Sequence, residues 1–209
     1  MERCFLSSDK DESIFEAILT KNNSICLGKV KNLELELFAI NILPKLKLHE
    51  ENEMEEFSLN AEKDESIFEA ILTKNNSICL GKVNNLELKL LAISILPKLK
   101  LHEENEMEEF SLSAGEKEYV SEVIRVENNS IWLGRVKNLR LESFAIRILP
   151  KLKLHEENEM EVFHLSAGEI EHFFEVMFAE NNSIWLGRVK RLKLESFTVK
   201  ILPKLQRLL

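Results

Sequence analysis

His49, His102 and His155 each open an acidic run, His-Glu-Glu-Asn-Glu, and imidazole beside carboxylates is a donor set for a divalent metal. The three histidines are 53 residues apart. If each period holds two strands of one sheet, successive copies stand about 10 Å apart at a strand spacing of ~4.8 Å, too far to share one ion. No HExxH or EF-hand spacing accompanies them. These runs are expected to be solvated loops, and no metal ligand is assigned. Cys26 and Cys79 occupy the position that holds Trp132 and Trp185 in later copies. A nucleophilic thiol needs a base and an electropositive setting, and neither is visible beside them. A position shared by Cys and Trp is expected to be apolar core or semi-buried. Asn22-Asn23-Ser24 and its copies fit a glycosylation pattern, but read more simply as turns in which Asn takes unusual dihedrals. Gly28, Gly81, Gly134 and Gly187 stand singly in LGKV or LGRV, where they are expected to bend the chain before a strand rather than cradle a phosphate. With no GxSxG and no P-loop, no catalytic or cofactor residue is assigned, and the chain is expected not to be an enzyme.

Composition narrows the remaining classes. The 209 residues carry 28 Lys and Arg against 36 Asp and Glu, a net charge of −8 that argues against a general nucleic-acid binder. Residues 187–209 break the balance, with seven basic residues against Glu195 alone, a net +6. That end is the place where RNA or an acidic partner could be met. Three cysteines form no disulfide framework, and the opening MERCFLSSDKDE has no apolar stretch of a signal peptide. No window is long and apolar enough to span a membrane, so a reducing, cytoplasmic setting is expected.

What positions these residues is a repeat. NNSI recurs at Asn22, Asn75, Asn128 and Asn181, and prolines fall in phase at Pro44, Pro97, Pro150 and Pro203. Residues 11–59 and 64–112 differ at only four of 49 positions (31/84, 36/89, 38/91 and 41/94), so the first two copies are near-duplicates. The 53-residue period splits again. Val30, Leu33 and Leu35 share the form h-x-x-h-x-h with Met54, Phe57 and Leu59, 24 residues on, and with Val83, Leu86 and Leu88 after 29 more. The chain is thus one array over 1–209, in double repeats 1–53, 54–106, 107–159 and 160–209.

These units resemble leucine-rich repeats, whose unit runs L-x-x-L-x-L-x-x-N/C-x-L. Val136, Leu139, Leu141 and Ile146 fill four of its apolar positions, and Leu149-Pro150-Lys151-Leu152 is similar to the family's LPxL continuation. At the N/C position stand Phe38, Leu91, Phe144 and Phe197, so a phenylalanine spine is expected to replace the usual asparagine ladder. The longer units follow their strand with an apolar i, i+1, i+4, i+5 pattern such as Ile14, Phe15, Ile18 and Leu19, one face of a helix. The expected fold class is α/β, a leucine-rich-repeat-like solenoid or horseshoe. A concave parallel sheet would oppose convex helices alternating with irregular turns.

The resemblance implies an interaction scaffold with a protein partner. The outward strand positions that could meet it are Lys31, Glu34, Glu55, Glu56, Asn84, Glu87, Glu108, Glu109, Lys137, Arg140, His164, Lys190, Arg191 and Lys193. Acidic strands should alternate with basic or amide ones, each opposed pair adding roughly 0.2–1 kcal/mol. With only Tyr119, Trp132 and Trp185 beside twelve Phe, the aromatics are expected to be spent on the core. The basic last coil, with Lys190, Arg191 and Lys193 contributing, suggests a weak, salt-sensitive head-to-tail contact with an acidic surface of another copy.

Overall fold

The computed structural model of the chain describes residues 1–49, 51–62 and 64–206, so Arg207, Leu208 and Leu209 lie outside the described residues. Twelve strands follow in chain order: β1 Arg3–Ser8, β2 Ile25–Gly28, β3 Asn32–Leu37, β4 Leu46–Leu48, β5 Glu53–Ala61, β6 Ile78–Leu90, β7 Leu99–Leu101, β8 Glu106–Ala114, β9 Ile131–Ser143, β10 Leu152–Leu154, β11 Glu159–Ala167 and β12 Arg188–Ser196. Ten of them form one sheet on the open path β1-β3-β5-β6-β8-β9-β11-β12, with β7 on β6 and β10 on β9; β2 and β4 form a separate pair. The paired strands run parallel. The class is α/β.

Alternation along each strand sets the core. Leu33, Leu35, Leu86, Leu88, Leu139 and Leu141 are at most 1% exposed, while Arg140 between the last two faces solvent. Phe57 sits between Leu33 and Leu86, Phe110 between Leu86 and Leu139, and Phe163 between Leu139 and Leu192. The buried phenylalanine column therefore lies inside the longer units. The position expected to form a spine is buried only in the inner copies: Leu91 and Phe144 are 7% and 9% exposed, while Phe38 is half-buried and Phe197 is 44% exposed.

An asparagine ladder does exist, before the strands rather than after them. Asn52, Asn105 and Asn158 are buried, and their Oδ1 atoms accept the backbone N–H groups of Val30, Val83 and Val136 at 2.7–2.8 Å. Asn105 Nδ2 also donates to the carbonyls of Val83 and Leu133, and Asn158 Nδ2 to Leu186. Glycine permits this stacking. Gly134 sits at φ +81°, and a Cβ there would lie 2.1 Å from the Asn105 carbonyl oxygen. That oxygen accepts the Arg135 N–H at 2.8 Å.

The connections differ from the expected helices and irregular turns. After β1, β5 and β8 comes a short 3₁₀ stretch and a single α-turn, α1 Phe15–Ile18, α2 Phe68–Ile71 or α3 Ser121–Ile124. After β11 the segment Ile170–Phe178 is 3₁₀, with Phe173 outside helical dihedrals. So few residues separate strand from Asn-Asn-Ser turn that nucleation of a longer helix is not repaid. The LPxL segments are ordered instead: Phe38–Lys45, Leu91–Lys98, Phe144–Lys151 and Phe197–Lys204 are eight-residue 3₁₀ stretches. Each Asn-Asn-Ser turn does place its second Asn at positive φ, and its N–H donates to the in-phase proline carbonyl at 3.0–3.1 Å.

The shared Cys/Trp position is semi-buried, as expected, at Trp132 and Trp185, but Cys26 and Cys79 are exposed; all four point outward from β2, β6 and β9 and from the segment before β12. The aromatics are not confined to the core: Phe5, Phe15, Phe68, Phe174, Phe178 and Phe197 are 44–73% exposed. Periodicity located the helical face in copies one and two but not which side of its single turn meets the sheet.

Candidate functional site: the charged face of the sheet

The outward side chains of the eight-strand path form three rows. The first row reads Glu2, Lys31, Glu55, Asn84, Glu108, Lys137, Glu161, Lys190. Lys31 Nζ lies 3.8 Å from Glu2 and 3.3 Å from Glu55, Lys137 lies 2.6 Å from Glu108, and Lys190 lies 2.9 Å from Glu161. Asn84 Oδ1 accepts the Glu108 N–H at 3.3 Å where a cation would otherwise stand. Hydrogen bonding to Glu55 and Glu108 pushes the Lys31 and Lys137 ammoniums up from their ordinary range. The Lys190 hydrogen bond holds Glu161 below the usual carboxylate range. The expected alternation of acidic and basic strands is therefore present in this row.

The second row, in register, is Asn32, Glu56, Asn85, Glu109, Asn138, Val162 and Arg191. Its amides serve the backbone: Asn85 Nδ2 donates to the Glu55 carbonyl at 3.0 Å and Asn138 Nδ2 to Glu108 at 2.9 Å. Glu56 accepts from the Asn32 amide at 3.3 Å. Among the described residues, Glu56, Glu109 and Arg191 enter no ion pair.

The third row is Glu34, Ser58, Glu87, Ser111, Arg140, His164 and Lys193. Glu34 meets Arg3 at 3.0 Å, Glu87 meets Lys89 at 2.9 Å, Arg140 meets Glu142 at 2.5 Å and Lys193 meets Glu195 at 2.7 Å. His164 departs from expectation. It faces outward in register, yet Arg140 and Lys193 flank it and leave it 8% exposed, with Nε2 3.4 Å from Glu195. A partner would meet its neighbours before its ring. The Lys193 bond, then one from Ser166, hold Glu195 below the usual range.

The sheet thus brings the expected residues onto one face and divides them by charge. Glu34, Glu56, Glu87 and Glu109 sit toward β1, and Arg140, Lys190, Arg191 and Lys193 toward β12. A hollow of about 370 Å³ opens over Glu56, Asn85, Glu87, Glu109 and Ser111. Another, of about 600 Å³, lies over Asn84, Glu108, Arg135 and Lys137. The basic end is largely satisfied internally, since Arg188 meets Glu159 at 2.8 Å and Lys190 and Lys193 are paired as above.

The histidines of the acidic runs hold turns. Nδ1 of His49, His102 and His155 accepts the N–H of Glu51, Glu104 and Glu157 at 3.1 Å. Among the described residues no group of three His, Cys, Asp or Glu side chains could hold a metal ion, and no helix is long and apolar enough to cross a membrane. The sequence reading missed one buried polar position, where each of the first three eight-residue 3₁₀ stretches grips the next unit. Asn41 Nδ2 donates to the Glu65 carbonyl at 2.7 Å, Ser94 to Tyr119 at 3.0 Å and Arg147 to Glu171 at 2.8 Å. Its signal was the Asn41/Ser94 difference between near-identical copies. No protein-family model, curated protein or solved structure matches the chain, and its function is read from this geometry.

Proposed function

We propose that the chain is a leucine-rich-repeat-like solenoid acting as a non-enzymatic protein-interaction module, with the charged sheet face meeting the partner. Parallel, in-register strands that follow one another in sequence at the repeat period support the solenoid reading. One observation carries the function: once the ladder pairs its own charges, Glu56 and Glu109 are left unpaired around a hollow and Arg191 at the far end. The fitting partner presents basic groups to β5 and β8 and a carboxylate to β12. Rim charges of this kind steer encounter and select partners more than they add affinity.

Charge reversal tests this. The double variant E56K/E109K should release a partner recovered with the wild-type chain, identified, and remeasured in purified form. Its thermal melt should stay near wild type, because neither carboxylate is paired. Undiminished binding would move the interface off this face. The runner-up, nucleic-acid contact through the basic strands of 187–209, has less support because Arg188, Lys190 and Lys193 are already held by carboxylates.

A further inference from the structure

A second charged strip runs along a different face, on the short ladder beside the main sheet. Cys26 pairs in register with Lys47, Cys79 with Lys100 and Trp132 with Lys153. β4 also packs beside β6, and β7 beside β9. Trp185 follows Ile184, which bridges Leu205. The strip therefore runs Cys26, Lys47, Cys79, Lys100, Trp132 and Lys153, one side chain per strand, and then Trp185 in the segment before β12.

Its lysines are exposed and enter no ion pair among the described residues. In the acidic turns Glu51, Glu104 and Glu157 meet Lys29, Lys82 and Arg135 at 3.4, 3.8 and 2.8 Å, while Glu156, Glu157 and Glu159 line a hollow beside Trp185 together with Arg188. The Lys153 ammonium stands 5.9 Å from the Trp132 ring centroid, and the His155 ring tilts against the same indole at 6.3 Å. Both tryptophans remain half-exposed. On a chain of net charge −8, this is a cationic strip with two aromatic platforms in it.

We propose that this strip binds single-stranded nucleic acid, with Lys100 and Lys153 on phosphates and Trp132 and Trp185 stacking on bases. Alternating aromatic platforms and cations are what such strands require, and the stacking tolerates any base. An acidic peptide would use the lysines and leave the indoles idle. The strip is independent of the sheet-face reading and shares none of its residues.

The two indoles are the chain's only tryptophans, so stacking has its own readout. Titration with a labelled oligo(U) 12-mer should quench intrinsic fluorescence in step with the rise in anisotropy. K100Q/K153Q should weaken binding and flatten its salt dependence by about 1.4 in log–log slope, ~0.7 per lost phosphate contact. Either W132L or W185L should cost about five-fold or more in affinity, while R191Q should leave it unchanged. Binding without quenching would overturn the proposal, as would equal binding of polyglutamate or insensitivity to K100Q/K153Q. Loss of binding in R191Q would place the contact on the sheet face instead.

Discussion

Asn105 shows how much one residue carries here, and how the motif misled. The leucine-rich-repeat pattern directed attention to the position after the strand, filled by Phe38, Leu91, Phe144 and Phe197. The carboxamide that ties neighbouring units sits before the strand, inside a run that reads as a solvated acidic loop. Nothing in local composition separates a buried Asn from the exposed Glu beside it; only the phase with Gly81, Gly134 and Gly187 could have done so. Asn105→Ala should cost about 2–5 kcal/mol in urea denaturation, because it strands the buried Val83 N–H and two carbonyls. Asn52→Ala should cost less, since among the described residues Asn52 Nδ2 has no partner to lose. Equal losses would mean the carboxamide is not the tie. A second residue-scale outcome follows from strain. Leu37, Leu90, Ser143 and Ser196 leave their strands at φ +53° to +56°, with ψ from −123° to −136°, the first central position of a type II′ turn. That geometry suits glycine and costs other residues roughly 1–3 kcal/mol. Ser143→Gly should therefore raise stability by about 1 kcal/mol, read as a higher denaturation midpoint at unchanged slope. A drop would show that Ser143 is not strained.

Among the elements, strands were legible and connections were not. Strand alternation is set by burial on one face, so the triplets at Leu33/Leu35 and Leu139/Leu141 could be read directly. The apolar pattern at Phe15, Ile18 and Leu19 satisfies a helix template as well as it satisfies one turn with an exposed Phe, and only the geometric span between strands decides. The charged rows were also legible, because in-register parallel strands place residues of equal phase side by side. Their contribution follows their titration. Glu161 and Glu195 are depressed in the folded state, so what they contribute is present above the ordinary Glu value of about 4.3 and is lost as pH falls below it. Lys31 and Lys137 are raised, so theirs is complete below about 10.4 and lost as pH climbs beyond. The melting temperature should hold between these limits and fall on both sides, and Lys190→Gln should flatten the acid side. Lys137→Glu places a third carboxylate between Glu108 and Glu161. It should lower the melting temperature more at low salt than at high salt, because screening weakens exposed pairs. A salt-independent change would mean the first row does not act as a ladder.

Across the whole molecule, the two outer strands differ from every inner one in what they leave exposed. Positions that inner copies bury are open at β12 and the segment after it. Leu192, Phe197, Val199 and Leu202 are 36–55% exposed, while their counterparts Leu139, Phe144, Ile146 and Leu149 are 0–9% exposed. At the other side Met1 is 60% exposed, against 2% for the in-phase Met54. Between the sides, every inner strand is covered by a strand of the next phase. A longer unit follows each shorter one at the β3–β5, β6–β8 and β9–β11 junctions. A second copy offering β1 to β12 repeats that junction in parallel, with Lys190 facing Glu2 as Lys31 faces Glu55, and covers the open apolar side chains. Two features weaken it: Arg191 would face Arg3, and Leu192 would meet Cys4 where Leu139 meets Phe163. The contact should therefore be weak and sensitive to salt. Sedimentation over a concentration series should show reversible association, with Val199→Lys plus Leu202→Lys returning the chain to monomer and Arg191→Glu strengthening the contact. A monomer at every concentration, or association untouched by these changes, would sink the edge-to-edge contact.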